Sequence, residues 1–279
     1  MKTQNHSVQF LAAFGAAGLM VLSGCAGGLP EPRIDKGYPD FRLARAIMGE
    51  HRPIRLAVSG RTGYAIPYDR NEVFVLDLDR ERIKHRIPVG ENPMGIVNTP
   101  DGRLTLVTNH HSGDVSVISN EKGEVIRTLE LGNNPCGIAV SPDGSRAYIT
   151  HHGGNAISVL DLPSLEKKAV VGVGTGPMAV AVSPDGGTLF VANEASHDVT
   201  VVNSGDLSIR AVIPVGEAPK GVAVSPDGKW AYVANNGSSS ISVINVNRNR
   251  VVKTVPLDLS PVRVEVAPYG LPRYSLVVW

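Results

Sequence analysis

An all-β fold made of one repeated unit is what the sequence predicts, and three observations predict it. Pro-Asp-Gly recurs with its proline at residues 100, 142, 184 and 226, 42 residues apart each time. A second series, Pro93, Pro135, Pro177, Pro219 and Pro261, keeps the same interval, and so do Gly90, Gly132, Gly174 and Gly216. Within one period every signal is β: GIAVSP and AYITHH flank the Pro-Asp-Gly turn, ISVLDL follows, and KKAVVGVG closes the unit. Four short strands repeating at roughly 40 to 45 residues describe a β-propeller, whose blades bury their faces against two neighbours as the ring closes.

Each element of the repeat has a reason. The Asp-Gly step supplies the positive φ of a tight hairpin, so Asp101, Asp143, Asp185 and Asp227 read as turn-formers rather than acids for catalysis. Val, Ile and Ala fill the strands while aromatics are only 5% of the chain, as suits thin, closely packed sheets. Tyr148, Trp230 and Tyr232 read as packing residues. Innermost strands are expected at 54–58, 96–99, 138–141, 180–183, 222–225 and 264–267, which makes six blades of about 42 residues. The last repeat ends at Trp279 after its second strand, YSLVV, so a strand from the amino-terminal end must complete it. FRLARAIMG at 41–49 resembles EVIRTLELG at 124–132, an outer strand, and is the expected closing piece. No helix of useful length is expected beyond the first 24 residues.

IAVSPDGSRAYIT, VAVSPDGGTLFVAN and VAVSPDGKWAYVAN closely resemble the YVTN-type β-propeller repeat family over about residues 53 to 279. That resemblance implies the fold, and a scaffold that serves many tasks. Residues 1–24 read as a leader, with Lys2 ahead of the apolar run Phe10 to Val21, too short to span a bilayer. Leu22-Ser23-Gly24-Cys25 resembles the lipobox of bacterial lipoproteins, which implies acylation of Cys25 and attachment through its lipid chains. Ala26 stands where an inner-membrane retention signal would show Asp, which implies a periplasm-facing protein of the outer membrane. Residues 25–40, rich in Gly, Pro and charge, then form a tether to a domain at 41–279.

With Cys25 consumed, Cys136 has no partner for a disulfide. Net charge is +1, from 27 basic and 26 acidic residues, so no broad cationic field predicts a nucleic-acid partner.

Strands that alternate in direction place loops at alternate ends of the ring. The loops entering each innermost strand share one end with the loops between second and third strands, and the Pro-Asp-Gly turns lie at the other. After the recurring proline come Met94, Cys136, Met178, Lys220 and Val262, while the other loops carry His110 and His111, His151 and His152, then Glu194 and His197. Three adjacent blades are therefore expected to present Met94, His110, His111, Cys136, His151, His152, Met178, Glu194 and His197 to one mouth. Thioether, thiol and imidazole donors suit copper, with zinc or an axial role to haem as alternatives.

No Gly-x-Ser-x-Gly elbow appears, and Ser141, Ser183 and Ser225 belong to turns, so no catalytic residue is assigned. Asn193, Glu194, Asn235 and Glu265 would be the recruits of a lactonase-type site, a weaker expectation. The sequence thus points to a lipid-anchored envelope scaffold that binds a protein or small ligand on its histidine-bearing face. Its alternative is a metal- or haem-handling accessory protein.

Overall fold

Short runs of Val, Ile, Leu and Ala bounded by Gly, Asn and Asp build strands of three to seven residues that pair only with antiparallel neighbours. The computed structural model of the chain describes residues 21–24, 31–33, 39–268 and 274–278. Cys25, the leader up to residue 20 and most of the tether lie outside the described residues.

Five blades are consecutive four-stranded sheets: residues 53–88, 93–130, 135–172, 177–214 and 219–256, here blades 1 to 5. In each, the inner two strands and the third carry the core, and the fourth is largely exposed: Glu124–Glu130 and Glu166–Gly172 bury no residue fully. Adjacent blades share their cores. Tyr148, Ile157 and Val159 of blade 3 pack with Val180, Leu189 and Val191 of blade 4, and Phe190 and Val199 of blade 4 pack with Val222, Val233 and Ile244 of blade 5. Tyr148 and Tyr232 are among the largest fully buried side chains, as packing residues should be.

The sixth sheet pairs Val264–Pro268 with Tyr274–Val278, then adds Val21–Gly24 and Glu31–Arg33. Strands from the amino-terminal end do complete this sheet, but 41–49 is not among them. Pro39–Met48 is an α-helix, which corrects both the expected closing strand and the expectation of no helix. Ala44 and Met48, four apart, are buried, and Leu43 and Ile47 repeat the spacing, a 3.6-residue stripe that a strand could not turn to one side. Ala, Leu, Met and Arg favour the helix, Pro39 suits its first position, and Gly49 ends it at φ +61° with its N–H on the Arg45 carbonyl. The helix covers Ala65, Phe74, Leu76 and Leu78, the face of blade 1 turned away from blade 2. Among the described residues no helix is long and apolar enough to cross a membrane.

Candidate functional site

Register decides which residues share an end of the ring. Pro93 lies opposite Asn109, Pro135 opposite His151, Pro177 opposite Asn193 and Pro219 opposite Asn235, so the residues after each proline and the loops that follow the second strands lie together. Met94, Cys136 and Met178 therefore share an end of the ring with the histidine-bearing loops. The inner strands of all six sheets line a central cavity of about 580 Å³, whose polar and sulfur-bearing lining is Arg55, Met94, Cys136, Met178, Lys220, Arg263 and Glu265. Its remaining wall is Gly, Ala, Val, Ile and Leu.

The histidines do not act as one group. His151 is only 3% exposed, and both ring nitrogens are used. The Gly132 carbonyl, 3.1 Å away, can only accept, so Nδ1 carries the proton and Nε2 accepts from the Ser158 hydroxyl at 2.7 Å. His151 stands where blades 2, 4 and 5 have asparagines that tie their loops: Asn109 donates to Asp114 and Ser116, Asn193 to Asp198 and Thr200, Asn235 to Ser240 and Ser242. Burial holds its imidazole below the usual histidine range. His197 is likewise committed: at φ +57° its Nδ1 accepts the Ala218 N–H at 3.0 Å, as the Asn155 side chain does for Gly176 one blade earlier.

His110, His111 and His152 do cluster. The ring centroids of His110 and His111 are 5.2 Å apart and those of His110 and His152 6.3 Å apart. His110 Nδ1 is buried with no partner among the described residues, and burial, then the neighbouring His111 and His152, push its pKa down. His111 Nε2 accepts from the Asn92 amide at 3.2 Å, while His152 Nε2 lies 3.3 Å from Glu194 Oε2. Glu194 Oε1 reaches Lys220 Nζ at 3.3 Å. The rim is thus three imidazole rings in contact, the last of them beside the Glu194–Lys220 ion pair.

That set does not fit copper, zinc or haem as expected. Among the described residues no three His, Cys, Asp or Glu side chains come together as a metal-holding group. Cys136 is 3% exposed, and burial raises its thiol to about 11, so the thiolate that a soft metal would want is disfavoured. Met94 and Met178 line the cavity and not the histidine cluster. The lactonase recruits separate in the same way: Asn193 and Asn235 are fully buried loop ties, Glu194 is on the rim and Glu265 is inside the channel.

Two residues that sequence reading missed are the most unusual in the channel. Counting two past each recurring proline gives Arg55, Gly95, Gly137, Ala179, Gly221 and Arg263. Small residues are required in the middle blades: a Cβ on Gly137 would lie 2.6 Å from the Met178 carbonyl oxygen and 2.8 Å from Ala179 Cα of the next blade. Blades 1 and 6 instead carry arginines there. Arg263 Nη2 pairs with Glu265 Oε1 at 2.5 Å, and Glu265 occupies a place that is Ala or Val in the other five blades. Arg55 has one hydrogen bond among the described residues, from Nη1 to the Ile54 carbonyl at 2.9 Å. Burial, then repulsion from Arg263, brings its guanidinium down to about 10. The signal is visible once blade 1 is aligned on Pro53, 40 rather than 42 residues before Pro93; the same alignment adds Tyr68, 80% exposed, to the rim series His110, His152, Glu194 and Asn236.

Solved structures share this architecture. The chain is similar to a Kuenenia stuttgartiensis hydrazine synthase chain at 21% identity and a TM-score of 0.58, over 81% of this chain and 95% of that one. It is also similar to a candidate 6-phosphogluconolactonase of Bacteroides uniformis at 18% identity and a TM-score of 0.68, over 77% and 74% of the two chains. At such identities the likeness is one of fold. No protein of curated function matches the chain. The YNCE-like beta-propeller family matches residues 36–226, well over half of the sequence, and the chain belongs to that family.

Proposed function

We infer that the protein is a non-enzymatic binding scaffold of the cell envelope, held at the membrane through lipidated Cys25, that takes a small ligand at the mouth of its central channel. One observation carries the binding reading. The side chains that depart from the repeat gather around a single cavity of about 580 Å³: Arg55, Lys220, Arg263 and Glu265 in the wall, with His152 and Glu194 at the rim. Ligand sites commonly have this size, a mainly apolar wall and a few placed polar groups. Among the described residues the Cys136 thiol in the cavity wall is held protonated by burial, and Ser141, Ser183 and Ser225 serve turns at the opposite end of the ring. Rigid rings with variable loops suit such a role, in keeping with the YVTN-type resemblance.

Comparing small-molecule extracts tests the reading. Protein purified gently from the envelope is expected to release a molecule that a Met178→Trp variant, whose added bulk fills the mouth, does not carry. Identical extracts would defeat it.

Anchoring has its own test. Cleavage before Cys25 would remove Val21–Gly24 from the sixth sheet and leave Glu31–Arg33 without its strand partner. An acylated Cys25 at the amino terminus of the envelope protein is the expected result. Protein that retains Val21–Gly24 would overturn the anchor and keep the closed sheet.

A further inference from the structure

We propose that the channel binds a small amphipathic carboxylate, its charged end on the Arg55 guanidinium and its apolar body along the aliphatic wall. The proposal rests on the channel being a ligand site and names what the site takes.

Charge balance is the first argument. Of the cationic groups around the cavity, Arg263 is matched by Glu265 at 2.5 Å and Lys220 by Glu194 at 3.3 Å. Among the described residues Arg55 has no carboxylate within ion-pair reach: Glu265 acts on it only at longer range and is already paired with Arg263, and the one hydrogen bond Arg55 makes is to a backbone carbonyl. A guanidinium presents five N–H donors in a planar fork, so most of its capacity is unspent. Cys136 cannot supply the missing charge, because its thiol stays protonated at neutral pH. An unpaired charge drawn partly out of water is disfavoured, so an arginine in this position calls for a counter-charge.

The kind of anion follows from the count and the wall. One positive charge is unmatched, which suits a monoanion; a phosphate dianion would overshoot it. A carboxylate matches the guanidinium fork through two parallel hydrogen bonds. The remaining lining side chains are aliphatic, with the adaptable thioethers of Met94 and Met178 at the mouth, and give an apolar body about half of the cavity surface to lie against. The cavity has room for a short acyl or aryl body with some water.

Hexanoate is the probe, added to the full-length protein in one fixed detergent, with binding read by saturation-transfer NMR and by the melting temperature. Saturable binding is expected for hexanoate, with hexan-1-ol and inorganic phosphate at least tenfold weaker. Arg55→Gln and Arg55→Met should each weaken hexanoate at least tenfold, while Lys84→Gln, on the exposed outer strand of blade 1, leaves it unchanged. Without ligand, Arg55→Met should melt higher than the parent, because an unmatched, half-buried charge has been removed; an arginine serving only structure would melt lower when lost. Equal binding of hexanol, preference for phosphate, undiminished binding in both Arg55 variants or no binding at about 10 mM, far above common ligand concentrations, would each overturn the proposal. If hexanoate fails while the parent carries some uncharged molecule that Met178→Trp does not, the carboxylate assignment alone falls. Identical extracts from the parent and that variant would remove the ligand site as well.

Discussion

At one end of the ring the same turn is built four times; at the other, five blades carry four different residues at one rim position. Asp101, Asp143, Asp185 and Asp227 each accept a hydroxyl from the residue two before, Thr99, Ser141, Ser183 or Ser225, and a backbone N–H from the residue two after. The glycine that follows sits at φ +70°, +73°, +74° and +68° in turn. On the opposite rim the equivalent positions hold Tyr68, His110, His152, Glu194 and Asn236. The difference separates two jobs carried by one repeat. The turn end and the inter-blade seams specify the ring, and the rim and channel are free to vary because the fold does not depend on them.

Breaking a seam should therefore cost most. Gly137→Ala puts a Cβ 2.6 Å from the Met178 carbonyl oxygen, so blade 4 must move; about 1–3 kcal/mol of stability is expected to be lost in urea unfolding. The reverse change in the next blade, Ala179→Gly, should cost about 0.5–1 kcal/mol, the ordinary backbone entropy of glycine. Equal losses would show that the seam is no tighter at Gly137 than at Ala179.

Thr108→Val comes next. The Thr108 hydroxyl donates to the Cys136 carbonyl at 2.5 Å and accepts the Gly95 N–H at 2.8 Å, which ties blade 2 to blade 3 in a fully buried place. Valine keeps the shape and strands both backbone groups, at about 1–3 kcal/mol. A neutral result would mean that those groups find other partners and that packing alone holds the seam.

The legible and the hidden parts of the molecule divide along the same line. Blade fold, strand order and the shared end of Cys136 and the histidines all follow from a constant spacing of 42, because register fixes the face. Coordination does not follow from sharing an end. His151 and His197 resemble ligands by residue type, yet each replaces a loop-tying side chain, His151 engaging both ring nitrogens in that work and His197 its Nδ1. Arg55 is hidden for a different reason, since blade 1 is two residues short and falls outside the 42-residue register; Arg263 keeps that register, and its only signal is the contrast with Gly95, Gly137, Ala179 and Gly221. The helix at 39–48 is misread because one isolated segment, compared by similarity to an outer strand, hides its own four-residue spacing.

The turn end should declare itself in acid. Hydrogen bonds from Ser141 and then from the Ser145 backbone hold the Asp143 carboxyl down at about 2. A depressed acid contributes stability above its unfolded value, about 3.9, and loses that contribution as pH falls through the folded value. Asp143→Asn should flatten the acid limb of stability between about pH 4 and pH 2. An unchanged limb would mean that the other three turns mask this one.

The smallest effect should come from repairing the odd blade. His151 departs from the asparagine of blades 2, 4 and 5, and its surroundings depart with it: Ala156 replaces Asp114, Asp198 or Ser240, and Gly132 takes φ +70° to aim its carbonyl at the ring. Because burial depresses this imidazole, the unfolded chain binds its proton first, so stability is full above about pH 6.5 and declines as pH falls below it. His151→Asn should remove part of that decline between pH 7.5 and 5 and change stability at pH 7.5 by less than about 1 kcal/mol, since one hydrogen bond to Ser158 can be remade. His110 stays behind with its own depressed pKa, so some slope must persist. A variant whose melting temperature follows pH as the parent's does would place the whole acid sensitivity on the rim cluster and leave His151 a purely geometric replacement.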